Sequence, residues 1–414
     1  METPTPLIRP FRAFLARPDL AERVAAAPVS LVPKGYWERL EAENPYSFQH
    51  VMRDTIRTSG EGFVVPQEAG GRARLDAMIR DGVYGWNDTP AFYVYRLSDG
   101  VRGHTGIVAE VAISAYEEGR IRRHEYTHRA AEERLAHHMA VLRADSYPVA
   151  LTYRSDSGAA DVAAEARSRR PLIDFAADGM EQTVWVVDDP EEVQRMGKAL
   201  AAIRTLYITD GHHRCAAAAR FAREEEAAHP GDRGDEPYHY LLAILFPESE
   251  LQIMEYNRCI RDLDGLTPEE FLARIGEVVT VEEVGPGHAE AARPDRAGVF
   301  GMALGGRWFR LTVPPDRIPD DAYGRLDAVL LQRLILDPIL GIVDPRSDPR
   351  IDYVPGSRGI DGLQHRENCA VGFAIHAASL DDVEAVADRG MVMPPKSTWF
   401  LPKVGSGLIV RMLD

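Results

Sequence analysis

Two short stretches of this chain hold residues whose types and spacing can do chemistry. The first is RHEYTHRAAEERLAHH, residues 123–138, where His124, Glu125 and His128 stand in the spacing H-E-x-x-H. On a helix, two histidines four apart share a face and can grip zinc, with the intervening glutamate as general base. Three features weaken that reading. The residues that follow, RAAEER, lack the glycine and third histidine of the extended zinc-protease pattern. No clear downstream helix offers a third ligand. The preceding GRIRRHE is polar for a buried catalytic helix. An exposed, charged helix start is the plain alternative.

The second stretch is TLYITDGHHRCAAAARFAREEE, which contains Asp210-Gly211-His212-His213-Arg214. Four apolar or β-prone residues run into Asp-Gly, and a strongly helical alanine run follows, so a strand, a tight turn and a helix are predicted. A helix N-terminus exposes unpaired N–H groups and partial positive charge, which attract phosphate. His212, His213 and Arg214 add donors there, and an arginine can clamp phosphate oxygens in bidentate fashion. Asp210 can hold a hydroxyl or a magnesium ion, because hard cations prefer carboxylate oxygen. The residues alone leave a second reading open: Asp210 caps the helix and the histidines are solvated.

Other elements must position these residues. AFYVYRL and TGIVAEVAI are β-rich runs able to pair, and YPVALTYR and TVWVVDD read as further strands. EEVQRMGKALAAI is helical, with Val193, Met196, Leu200 and Ile203 at helical spacing. YHYLLAILF and LQIMEYNRCI look like a hairpin joined by PESE. After Leu266 the character changes. TPEEFLARI carries a helix-start signal in Thr267, Pro268 and Glu270. VFGMALGGRWFRLTV reads as two strands around Gly305-Gly306, and AYGRLDAVLLQRLILDPIL as a long amphipathic helix. Near the end, PPKSTWFLPK places Lys396, Ser397, Thr398 and Lys403 in a proline-stiffened stretch where they can reach phosphate. The class is α+β, with a boundary expected between 1–265 and 266–414.

Bulk properties exclude some functions. The 414 residues contain 45% hydrophobic and 27% charged residues, an ordinary globular composition that is large for one sheet-based domain. A formal net charge of -16 with no basic run argues against nucleic acid as a partner. No apolar run approaches a membrane span, and no secretory leader is evident. Three cysteines without a C-x-x-C spacing do not form a disulfide framework or a thiolate zinc site, which suits a reducing cytoplasm.

Several stretches in fixed order, spread along nearly the whole chain, resemble domain-of-unknown-function family 1015 of bacteria and archaea. They are RPFRAFLARPD, NPYSFQHV, YVYRL, TGIVAEVAISAYEEGRIRRHEYT, EERL, LYITDGHHRCAAA, YNRCIRDLDGLTPEEF and MPPKSTWFLPKVGSGLIV. The DGHHR stretch is in turn similar to the phosphate-binding motif of the ParB/sulfiredoxin superfamily, which includes free-serine kinases with a His-Glu pair upstream of a similar motif. The resemblance implies a ParB/sulfiredoxin-like mixed-sheet core with helices, plus a C-terminal α+β region. It implies Glu125 as catalytic base beside His124, Asp210 as an assistant to metal or substrate, and Gly211, His212, His213 and Arg214 as the phosphate cradle. Under it, His128 is incidental to the His-Glu pair. Two departures stand out. The family's Pro-Tyr-Asp element near the N-terminus is replaced by AAAPVSLVPKGYW, and the small kinases have no counterpart to residues 266–414. Cys215 follows Arg214 instead of preceding it, which argues against a sulfiredoxin role and for a small buried helix residue.

The expected function is therefore a small-molecule kinase using ATP or ADP with Mg2+, phosphorylating free serine or a similar hydroxyl-bearing metabolite. The alternative is a nucleotide-binding or hydrolysing switch without metabolite phosphorylation. A zinc hydrolase is the weaker third reading. A cytoplasmic protein with no membrane or nucleic-acid partner is expected, with a homodimer left open.

Overall fold

The strands that lie deepest are those with the longest apolar runs. The computed structural model describes residues 6–28, 31–32, 36–55, 57–59, 62–64, 70–154, 157–285, 288–364, 366 and 368–414. Part of the AAAPVSLVPKGYW stretch lies outside them. By contacts the chain forms two compact units, Met1–Leu251 with Pro402–Asp414, and Gln252–Leu401. The sequence alone placed a change of character at residue 266, whereas the crossings fall at 251/252 and 401/402.

The first unit is built on a nine-stranded mixed sheet. Its strands are β1 (Ile8–Arg9), β2 (Phe92–Ser98), β3 (Gly103–Ala112), β4 (Ile121–Arg122), β5 (Val149–Tyr153), β6 (Ile173–Ala177), β7 (Met180–Val187), β8 (Leu206–Asp210) and β9 (Tyr240–Pro247). The order is β6-β7-β2-β3-β9-β5-β8-β4, with β1 added on β3. β2 and β3 pair antiparallel as their sequences suggested, from Tyr93 opposite Val108 to Ser98 opposite Gly103. β9 carries YLLAILF and is buried along those seven residues, as a strand covered on both faces must be.

Four helices flank this sheet: α1 (Arg129–Leu142), α2 (Ala159–Arg167), α3 (Pro190–Ala201) and α4 (His212–Ala228). α3 begins where Asp189 accepts from the backbone N–H groups of Glu191 and Glu192, and Pro190 supplies a helical φ at its first position. In α4 the run Ala216–Ala219 is wholly buried, and so is Cys215. Small side chains there let α4 approach its neighbours closely, α1 among them. Burial also raises the Cys215 thiol pKa, so this cysteine is an inert core residue. A charged knot ties the chain end into the unit. Glu110 on β3 is 5% exposed and bonds Arg411 at 2.9 Å and Arg9 at 2.5 Å. Arg411 also donates to the carbonyls of Pro237 and Tyr240, both at 2.7 Å.

The second unit holds an all-antiparallel six-stranded sheet of β10 (Tyr256–Ile260), β11 (Thr280–Gly285), β12 (Val299–Leu304), β13 (Arg307–Thr312), β14 (Ile351–Pro355) and β15 (Val371–Ala374). Its order is β11-β13-β12-β15-β10-β14. The Gly305-Gly306 turn joins β12 to β13, with positive φ at both glycines. α5 (Pro268–Gly276) starts with the expected capping box between Thr267 and Glu270.

Three expectations are corrected. β9 and β10 do not form a hairpin, because they belong to different sheets in different units. The long amphipathic segment is helical over Asp327–Leu340, but its middle, Gln332–Leu336, is wound as π-helix. Cys259 and Cys369 are not isolated thiols. They are paired as a disulfide with Cα atoms 5.4 Å apart, a contact across 110 residues that cysteine spacing does not reveal. Among the described residues, no helix is long and apolar enough to cross a membrane.

Candidate active site

β4 and β8 lie side by side and parallel, Ile121 opposite Leu206 and Arg122 opposite Tyr207. Parallel neighbours leave a sheet at the same edge. The loop after β4 carries His124-Glu125, and the turn after β8 carries Asp210-Gly211-His212. Two stretches 88 residues apart thus meet: the backbone N–H of His124 donates to Nε2 of His212 over 3.4 Å. One residue before His212, Gly211 makes a sharp turn with φ of 98°, in the left-handed region. A Cβ at Gly211 would stand 2.8 Å from Arg214 Nε, so conformation and space both require glycine.

The hydrogen bond fixes a tautomer. Nε2 of His212 accepts, so a neutral His212 carries its proton on Nδ1. Nδ1 faces Glu125 Oε2 at 3.5 Å. Burial holds His212 well below the usual histidine pKa, with His124, His213, Lys403 and Arg123 adding to the effect. Burial, with a lesser contribution from Lys403, takes His124 down to about 3. Both rings are neutral at pH 7 and pack edge to face, centroids 4.5 Å apart. Glu125 itself keeps 41% of its side chain exposed. The arrangement is a half-exposed carboxylate steered by a buried neutral imidazole, which suits a general base.

Asp210 faces two cations. One oxygen meets Lys403 Nζ at 2.5 Å and the other meets the Arg214 guanidinium. Those charges outweigh the desolvation that opposes them and hold the carboxyl below its ordinary pKa. Arg214 also donates to the carbonyls of Tyr147 at 3.2 Å and Pro148 at 2.5 Å, and lies over the Tyr147 ring. Its forked donors serve protein acceptors in this structure. The capping alternative fails: the N-cap is Gly211, Asp210 is drawn to Lys403 and Arg214, and His212 is buried. The first N–H groups of α4, a helix of 17 residues, have no carbonyl one turn earlier to bond. His213 Nε2 accepts from the His128 N–H at 3.1 Å.

The zinc geometry is absent from these residues. His124, Glu125 and His128 precede α1 instead of lying on it, and His128 is its extended N-cap. The two rings go to different partners, His212 and His213. Among the described residues, only Asp232, Glu236 and His239 form a group of metal-ligating type.

The structure thus gathers Glu125, His124, Asp210, Gly211, His212, His213 and Arg214 in one unit. Lys396, Ser397 and Thr398 belong to the other. Ser397 and Thr398 are buried, Ser397 donates to the Pro394 carbonyl at 2.8 Å, and the Lys396 carbonyl accepts from Arg258 at 3.2 Å. Lys403 as the Asp210 partner and Tyr147 beneath Arg214 were not legible, since no local pattern links them to residue 210.

A mixed α+β unit in which a strand–glycine turn–helix meets a His-Glu loop is the class these observations define. The chain belongs to the family described as a protein of unknown function, DUF1015, whose pattern matches residues 8–329. No curated protein matches the chain. Among solved structures it is similar to a free serine kinase variant in complex with ADP, at 12% identity, covering 74% of this chain and 91% of that one, with a TM-score of 0.33. SbnI from Staphylococcus aureus, truncated at its C-terminus, matches at 11% identity over 71% of this chain and 82% of its own, with a TM-score of 0.35. A conserved hypothetical protein from Pyrococcus furiosus matches at 11% identity over 74% and 95%, with a TM-score of 0.33.

Proposed function

We propose that the first unit is the catalytic unit of a small-molecule kinase, moving a phosphoryl group from ATP or ADP to a hydroxyl of free serine or a similar metabolite. One observation carries the reading: Glu125 lies 3.5 Å from His212, at the N-terminus of α4. A carboxylate base and a phosphate-attracting helix end are adjacent, and phosphoryl transfer needs chiefly positioning and charge neutralisation.

The nucleotide phosphates sit on the first-turn N–H groups of α4, with Gly211 allowing close approach of the backbone. Lys403 adds positive charge at the same turn. His212 holds its Nδ1 3.5 Å from Glu125 Oε2 and orients that carboxylate, and His124 packs against the His212 ring and fixes it. Both are positioning residues. Glu125 removes the proton from the substrate hydroxyl. The oxygen then bonds to the terminal phosphorus while the bond from that phosphorus to the bridging oxygen breaks, and the shortened nucleotide leaves with those electrons. Arg214 acts through Asp210 and the 147–148 carbonyls, holding the turn in shape.

Magnesium, expected at Asp210, does not fit that carboxylate as it stands. Each of its oxygens already faces a cation, and a divalent ion would be repelled by both.

Incubation with labelled ATP or ADP and a set of hydroxylated metabolites that includes serine tests the reading. A phosphorylated metabolite whose formation drops about 10²–10⁴-fold in Glu125→Gln, with nucleotide affinity kept, is the expected result. Release of phosphate with no phosphorylated product would replace the kinase by a nucleotide switch. Unchanged turnover in Glu125→Gln would remove Glu125 as the base.

A further inference from the structure

The first unit contains a cleft of about 620 Å³ that the phosphotransfer chemistry does not use. Leu172, Trp86, Trp185, Arg17, Arg169 and Arg170 form its distinctive lining. β7, which supplies Trp185, stands five strands from β8 in the sheet. At about 4.8 Å per strand this separates the cleft from the Asp210 turn by roughly 24 Å. The volume lies in the range of small-molecule sites.

The chain carries a net charge of -16, yet the cleft collects three arginines against one acid, Asp188. Arg17 is tied to Asp19 at 2.6 Å, and Arg169 to Glu192 at 2.9 Å. Arg170 is exposed and, among the described residues, has no hydrogen-bond or ion-pair partner. The aromatic wall is fixed in advance. Trp185 is 8% exposed and its Nε1 donates to the Arg169 carbonyl at 3.0 Å. Trp86 leans on Phe14, centroids 4.6 Å apart, and still shows 42% of its surface. Leu172 beside them is 38% exposed. An exposed indole face, an apolar floor and an uncommitted guanidinium are complementary to one chemical class.

We propose that this cleft binds a flat aromatic anion, its ring on Trp86 and its carboxylate or phosphate on Arg170. The site is independent of the kinase reading. Calorimetry on the full chain, with saturating ATP present, tests it with two matched probe pairs: 1-naphthoate against 1-naphthamide, and uridine monophosphate against uridine. Saturable binding of at least one anion is expected, with its neutral partner at least tenfold weaker. Arg170→Ala weakens the anion at least tenfold and removes the preference over the neutral probe, and Trp86→Ala weakens both members of the pair. The naphthoate arm marks a carboxylate ligand and the uridine monophosphate arm a phosphate ligand. The proposal is overturned if neither anion saturates, if binding survives Arg170→Ala and Trp86→Ala in chains that keep the parent melting temperature, or if Trp86 proves to be covered in a dimer that Trp86→Ala dissociates.

Discussion

Replacing Lys403 by Met removes one of the two cations that hold Asp210. The side chains are 12% and 27% exposed, so this pair is mostly but not fully out of water. Removing one partner of a fully buried pair costs about 3–5 kcal/mol, because the other charge is left uncompensated. Here Arg214 remains and water reaches part of Asp210, so about 1–3 kcal/mol is expected. For a unit of this size that corresponds to roughly 2–10 °C in melting temperature. The pH dependence gives a second readout. Asp210 has a folded pKa below its unfolded value, so its stabilising contribution is present above about pH 3.9 and disappears as pH falls through the lower folded value. Without Lys403 the folded value rises toward the unfolded one, so the acid loss is smaller and is complete at a higher pH. Lys403→Arg preserves the charge and should recover most of both effects. The assay is thermal unfolding from pH 3 to 8 of the parent, Lys403→Met, Asp210→Asn and the double variant. A coupling energy near zero in that cycle, or identical acid limbs in parent and Lys403→Met, would show that the contact does not organise the turn.

Three further outcomes are expected. Gly211→Ala forces a side chain into the left-handed region and against Arg214, so it should destabilise by about 1–3 kcal/mol and weaken nucleotide binding, read by melting temperature and calorimetry. Glu110→Gln leaves Arg9 and Arg411 facing a neutral amide at a site that is nearly closed to water, and a loss of about 3–5 kcal/mol should be seen in denaturant unfolding. Burial lowers His138 to about 4 and His124 to about 3. These histidines bind protons in the unfolded chain but not in the folded one below about pH 6.5, so stability is full above that value and falls as pH drops toward 4. Each contributes a slope of up to about 1.4 kcal/mol per pH unit, and His138→Leu should flatten the measured slope by one proton.

The sequence by itself determined the local elements and the residue inventory. Apolar runs such as YLLAILF marked central strands, Thr267-Pro268 with Glu270 marked a helix start, and Asp210-Gly211 followed by alanines marked a strand, a turn and a helix. These signals act within a few residues, where propensity and capping operate. Tertiary structure decided what those elements do. Only the parallel pairing of β4 with β8 brings Glu125 to His212. Only the return of residues 402–414 to the first unit sets Lys403 on Asp210 and Arg411 on Glu110. Other long-range contacts hold Arg214 to backbone carbonyls, place β9 and β10 in different sheets and join Cys259 to Cys369. Strand partners and buried ion pairs depend on which distant segments exclude water together, and a single sequence read locally carries no mark of that choice.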